Sequence, residues 1–296
     1  MQSTTEQDSE PEASQKVSGQ WYRSVGLRVV TSVILIPIVL VFVWLGGWWA
    51  FAAALIVVAL GTYELHMMML HSGYHPLLLV SLGLSTLFLV SAMLSSLQMR
   101  LLLLEVGFGV GLLISFLWLF FRKDLDGVLV DWALTLSFSI YLGWPMNLLL
   151  LLRGSQVSWP LPRGAWWVLA ALIGVWSFDT AAFFAGRYFG RHKLAPGISP
   201  AKTWEGALGG LVFSITVSLL VTVGPLGVSW YMAVLLGILI GIAAVLGDLA
   251  ESLIKRQTHV KDSGQIMPGH GGILDRIDSM LFVLIAVYLF AQFIGI

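Results

Sequence analysis

The chain has 296 residues, 58% of them hydrophobic and 11% charged, and its 16 basic and 16 acidic side chains balance. A mean hydropathy of +0.89, carried by recurring apolar runs of about 18 residues or more, excludes an ordinary soluble domain. Zero net charge removes a general basic footprint for nucleic acid, and the lack of cysteine removes disulfides, thiolate catalysis and Cys-ligated zinc.

Residues 1–25 are polar and acidic (Glu6, Asp8, Glu10, Glu12), with Ser, Gln and Pro, and are expected to form a disordered tail. The acidic start and the long first apolar run argue against a signal peptide. Nine membrane-spanning helices are then expected, near 27–45, 48–69, 76–96, 100–121, 128–152, 165–185, 206–224, 228–250 and 278–296. Each approaches the roughly 20 residues that carry a helix across a hydrocarbon core of about 30 Å. The runs are continuous and lack period-2 alternation, so helices are expected rather than barrel strands. The fold class is therefore an all-α, polytopic integral membrane protein.

Thirteen of the Lys and Arg residues fall on one side of these spans and three, Arg100, Arg153 and Arg163, on the other. The positive-inside rule then puts the N-terminus in the cytoplasm and the C-terminus on the opposite side. Five spans in 26–160 carry few ionisable groups and read as scaffold. The region 161–296 holds two polar inner loops, 186–205 and 251–277, rich in Gly, Pro and charge. No internal repeat is visible, which weighs against an ion-coupled transporter built on inverted repeats. His66, His71 and His75 in an inner link, the Trp residues at run ends, and Gly107, Gly109 and Gly111 read as structural.

Three stretches carry chemistry. In WSFDTAAFFAGRYFG (176–190), Asp179 sits inside an apolar run, where an ionised carboxylate costs roughly 2.5–3.5 kcal/mol. A metal ion, a cation or a wet cavity would offset that, and so would a Thr180 cap or neutralisation. Gly186, Arg187, Gly190, Arg191 and Lys193 follow as a basic loop, suited to phosphate or to simple inner anchoring. In ISPAKTWEG (198–206), Ser199, Lys202 and Thr203 form a turn able to meet phosphate oxygens. The Lys-Thr pair is not a Walker A motif, since Ala201 precedes it, Pro196 replaces the first glycine and no preceding strand is expected.

The densest stretch is GDLAESLIKRQTHVKDSGQIMPGHGGILDRID (247–278). If the preceding helix continues inward, Asp248, Glu251, Ser252 and Lys255 share one face at i, i+3, i+4 and i+7. Asp275 and Asp278 stand i, i+3 at the start of the last helix, where the helix dipole alone would favour them. Three Asp from two helix ends suit one Mg²⁺ ion, or two cations, with open positions for phosphate oxygens. His270 suits a phosphate ligand or acid, or a capping residue.

At these residues the chain resembles the phosphatidate cytidylyltransferases (CDP-diacylglycerol synthases). The matching pattern is Ser252, Lys255-Arg256, Lys261-Asp262, Pro268, His270-Gly271-Gly272 and Asp275-Arg276-Ile277-Asp278, with Asp179-Thr180, Gly186-Arg187, the Ser199–Gly206 stretch and Gly247-Asp248 upstream. The likeness is specific over about 176–278. Met267 departs harmlessly from a branched or aromatic residue, and Phe183 stands where the family often has Tyr. The resemblance implies transfer of CMP from CTP to phosphatidic acid, giving CDP-diacylglycerol and pyrophosphate, in a bacterial inner membrane with the site facing the cytoplasm, and a homodimer. It implies Mg²⁺ on Asp248, Asp275 and Asp278, with Lys255 and Arg276 completing the catalytic set. Asp179, Arg187, Ser199, Lys202, Thr203, Glu251, Ser252, Arg256, Lys261, Asp262, His270, Gly271 and Gly272 would meet substrate. Another lipid acceptor, or a CTP-dependent lipid-alcohol kinase, remains the alternative within the enzyme class.

Overall fold

The structure, a computed structural model, describes residues 33–154, 161–264, 266 and 271–295. The expected N-terminal tail lies outside them. The described chain is helical apart from one small hairpin. Its helices are α1 (Val33–Leu45), α2 (Gly47–His71), α3 (Leu78–Met93), α4 (Leu97–Phe120), α5 (Val128–Phe138), α6 (Trp144–Arg153), α7 (Arg163–Phe189), α8 (Trp204–Leu226), α9 (Trp230–Gln257) and α10 (Leu274–Phe293).

By length and composition six helical rods can cross a membrane: α2, α4, the continuous α5–α6 rod, α7, α8 and α9. The helices α1 and α3 are shorter, and α10 carries Asp275, Arg276 and Asp278 at its start. The single run expected at 128–152 is one rod with a π-helical turn, Ser139–Gly143, between α5 and α6. Pro145 opens α6 and has no N–H to give the preceding turn, so the helix widens there instead of breaking.

Two expectations need correction. The loop 186–205 is largely ordered structure: α7 runs to Phe189, and β1 (Lys193–Ala195) pairs antiparallel with β2 (Ser199–Thr203). Strands this short, one of them holding Pro200, leave no alternation to read. The loop 251–277 begins only after Gln257, because the Glu-, Lys- and Arg-containing end of α9 has good helix formers and basic side chains in its last turn.

Apolar burial alone does little to hold helices together in a hydrocarbon surround, so close packing of small residues decides the contacts. The most extensive contact joins α7 to α8. A Cβ on Gly206 would stand 2.8 Å from the Ala182 carbonyl oxygen, and one on Gly210 2.7 Å from the Phe178 ring. At the α9–α10 crossing a Cβ on Gly247 would stand 2.6 Å from the Asp278 carbonyl oxygen. Behind these seams lies a shared core of Leu65, Trp167, Leu236, Ile240, Leu281 and Leu284, all fully buried. The end of α7, the start of α8, the end of α9 and the start of α10 meet at one end of this bundle.

Candidate active site

A cavity of about 720 Å³ opens at that meeting point. From α7 it receives Asp179 and Arg187, with Phe178, Ala182 and Phe183 as an apolar wall. The hairpin and the start of α8 supply Lys202 and Thr203. From α9 come Asp248, Glu251 and Lys255, from the following segment Asp262, and from α10 Asp275, Arg276 and Asp278.

The hairpin is held in place by Glu205. Its carboxylate accepts hydrogen bonds from the backbone N–H of Arg191 (3.1 Å) and His192 (3.3 Å) and meets His192 Nδ1 at 2.6 Å. Thr203 caps α8 by accepting from Gly206 N at 3.2 Å. These contacts set Lys202, in β2, against Asp248 of α9 as an ion pair. Arg256 Nε donates to the Ile198 carbonyl at 3.1 Å and ties the hairpin to the end of α9.

The close α9–α10 crossing at Gly247 brings together the carboxylates of Asp248, Glu251 and Asp278, whose ligand oxygens all lie within 4.8 Å of one another. At such spacing each ionised pair costs about 3 kcal/mol at an effective dielectric of about 20. Cations must therefore share the space. Lys255 supplies one, its Nζ lying 2.5 Å from Glu251 Oε2 and 2.9 Å from Asp275 Oδ1. Glu251 Oε1 is buried with no hydrogen-bond partner. Three hard oxygen donors, one of them unpartnered, fit a small divalent cation.

Asp248 and Asp278 of the expected trio are in this grouping, Glu251 joins them, and Asp275 lines the same cavity beside it. Asp275 shares Lys255 with Glu251 and also accepts from Ser263 N (3.1 Å) and Gly272 N (2.9 Å). Asp275 therefore organises the start of α10, and Glu251 stands where the sequence put a substrate-binding side chain.

Of the other expected residues, Ser252 reaches Asp248 at the limit of a hydrogen bond, 3.5 Å, Lys261 is exposed, and Ser199 lies in the hairpin. None of the three lines the cavity, nor do Arg256, Gly271 and Gly272, whose contributions come through the hairpin and through the Gly272 N–H. His270 lies outside the described residues. Two participants were missed. Ser263 bonds to Asp275 through its backbone, and Glu64, far away in α2, accepts from Ser263 Oγ at 3.1 Å. A carboxylate inside the apolar run 48–69 was the available signal, the same one that marked Asp179.

The sequence model described as the cytidylyltransferase family matches residues 26–294. A phosphatidate cytidylyltransferase of Synechocystis sp. is 36% identical over 293 residues, covering 89% of this chain and 95% of that protein. One from Brucella melitensis is 43% identical over 150 residues, 51% of this chain and 54% of its own. Another, from Staphylococcus saprophyticus, is 46% identical over 123 residues, 41% of this chain and 47% of its own.

Proposed function

The chain belongs to the cytidylyltransferase family, and from that premise we propose that it transfers CMP from CTP to phosphatidic acid, forming CDP-diacylglycerol and pyrophosphate. One observation carries the reading beyond the family. A single cavity at the end of an apolar bundle holds a three-carboxylate cluster facing Lys202, Lys255, Arg187 and Arg276, the mixture that two phosphate-bearing substrates require. An oxygen of the lipid phosphate attacks the α-phosphorus of CTP, the bond from that phosphorus to the β-phosphate bridge breaks, and pyrophosphate leaves. The nucleophile is the substrate's own, so the protein needs no nucleophilic side chain. Its part is to position the two phosphates and to neutralise charge.

Asp248, Glu251 and Asp278 would hold Mg²⁺, which supplies neutralisation of phosphate oxygens. Lys202 and Arg187 come from the hairpin and α7, and Lys255 and Arg276 from α9 and α10, so cations from four elements are available to two anionic substrates. The apolar wall of Phe178, Ala182 and Phe183 suits the lipid partner. The same reading places nine helical crossings in a bacterial cytoplasmic membrane, with the N-terminus and the cavity on the cytoplasmic side, where CTP is available. The skew of Lys and Arg supports that orientation.

The test uses purified protein in detergent with phosphatidic acid and CTP labelled at the α-phosphate or at the γ-phosphate, with and without Mg²⁺. Mg²⁺-dependent passage of the α-label into the lipid phase is expected. Passage of the γ-label alone would make the protein a lipid kinase, and no passage of either would overturn the reading.

A further inference from the structure

Glu64 belongs to α2, in the half of the chain without cavity-lining residues, yet it is 2% exposed and, among the described residues, its carboxylate bonds to the catalytic half. Its Oε1 accepts from Ile273 N at 2.9 Å, and its Oε2 accepts from Leu274 N at 2.9 Å and from Ser263 Oγ at 3.1 Å. The N-cap of α10 is Ile273, which has no side-chain oxygen to offer the first turn. Orphan N–H groups at a helix start need an acceptor, and here a carboxylate from a distant helix serves. Three donors converge on it, which suits an acceptor-only carboxylate and not an amide.

The surrounding backbone is shaped to this side chain. A Cβ on Gly264 would stand 2.6 Å from Glu64 Oε1, and one on Gly272 2.5 Å from Oε2. Asp275 grips the same two strands of chain from the other side, taking Ser263 N and Gly272 N. Glu64 and Asp275 together pin Ser263 and Gly272, and the first turn of α10 starts from that clamp. Asp278 lies one turn further on.

We propose that Glu64 is a positioning residue for the transfer reaction: by fixing the first turn of α10 it sets Asp278 against Asp248 and Glu251. The inference rests on the metal-dependent reading of the site. Groups that orient cation ligands from behind typically alter affinity or activity by about 10–100-fold when removed.

The test compares wild type with Glu64→Gln and Ser263→Ala, all in detergent. Three measurements are made: Mn²⁺ binding without substrates by electron paramagnetic resonance, amide hydrogen exchange over 271–280, and kcat and KM per folded molecule. In Glu64→Gln, exchange over 271–280 should quicken while that of 235–245 stays unchanged. Mn²⁺ affinity and kcat should each fall about tenfold or more, with KM for CTP changed less. Ser263→Ala removes one of three hydrogen bonds and should shift Mn²⁺ affinity about two- to threefold in the same direction, which keeps the inference testable if Glu64→Gln does not fold. Quicker exchange with unaltered Mn²⁺ affinity and kcat would make Glu64 a structural cap only and overturn the inference. A wild type that makes CDP-lipid but binds no Mn²⁺ would overturn the metal reading instead.

Discussion

Both halves of this bundle place ionisable side chains within apolar helices, but they satisfy them in different ways. In the first half the partners are mostly backbone or a single opposite charge. Asp131 accepts from His75 N at 2.6 Å and pairs with Arg122 at 2.5 Å, while Arg122 also donates to the His75 carbonyl at 3.0 Å. Arg153 is buried and donates to the carbonyls of Val43 and Trp44 where α1 ends. The Asp131 cluster closes on itself among the described residues. In the second half, carboxylates and cations converge on one cavity, like charges sit side by side, and one oxygen of Glu251 has no donor. A self-satisfied cluster locks helices together, whereas an incompletely satisfied one is built for something that arrives.

The sharpest way to break this contrast is to remove a member of the converging set. Asp278→Asn keeps the shape but removes a charge from the cluster, and should lower the rate of CDP-lipid formation by on the order of 10³. More than a tenth of wild-type activity would remove Asp278 from the machinery. Lys255→Met leaves Glu251 and Asp275 without their shared cation. Breaking a buried ionic set costs about 3 kcal/mol or more, so thermal unfolding in detergent should come earlier and kcat/KM should drop about a hundredfold. A variant with normal stability and turnover would show that the cluster does not need that charge.

Smaller effects test the supports. Glu205→Gln weakens the contacts that anchor the hairpin, and since Lys202 rides on that hairpin, KM for CTP should rise by about three- to tenfold with little change in kcat. A change confined to kcat would place the hairpin's role elsewhere. Asp131→Asn strikes the closed cluster of the first half. It should cost about 2 kcal/mol of stability and leave the turnover of the folded fraction unchanged. A fall in turnover matching that of the cavity variants would erase the distinction between the halves.

Much of this arrangement was readable from residue types alone. The i, i+3, i+4, i+7 spacing of Asp248, Glu251, Ser252 and Lys255 anticipated that α9 runs on past its apolar stretch to Gln257, because helical periodicity is a local property. The apolar runs located the helices for the same reason. Assigning the carboxylates to roles was beyond the sequence. Asp275 and Asp278 look alike on paper, and only the path of the backbone at Ser263 and Gly272 gives Asp275 two N–H donors of its own. The hairpin escaped notice because three- and five-residue strands give no periodic signal. Glu64 was passed over because the first half was read as scaffold from its low charge density, and density says nothing about where one charge points.

Glu64 also bears on the order in which the molecule is made. Its backbone partners lie 209 and 210 residues further along the chain. Until α10 is in place, the Glu64 carboxylate lacks the Ile273 and Leu274 N–H groups that it accepts from in the folded chain. Contacts of such long range form late, since loop closure must precede them. The cavity is thus completed only when α10 docks, and a chain with its other helices already inserted would still lack Asp278 in place. Assembly of the catalytic end waits on α10, with the acid on α2 as the receptor that this helix must find.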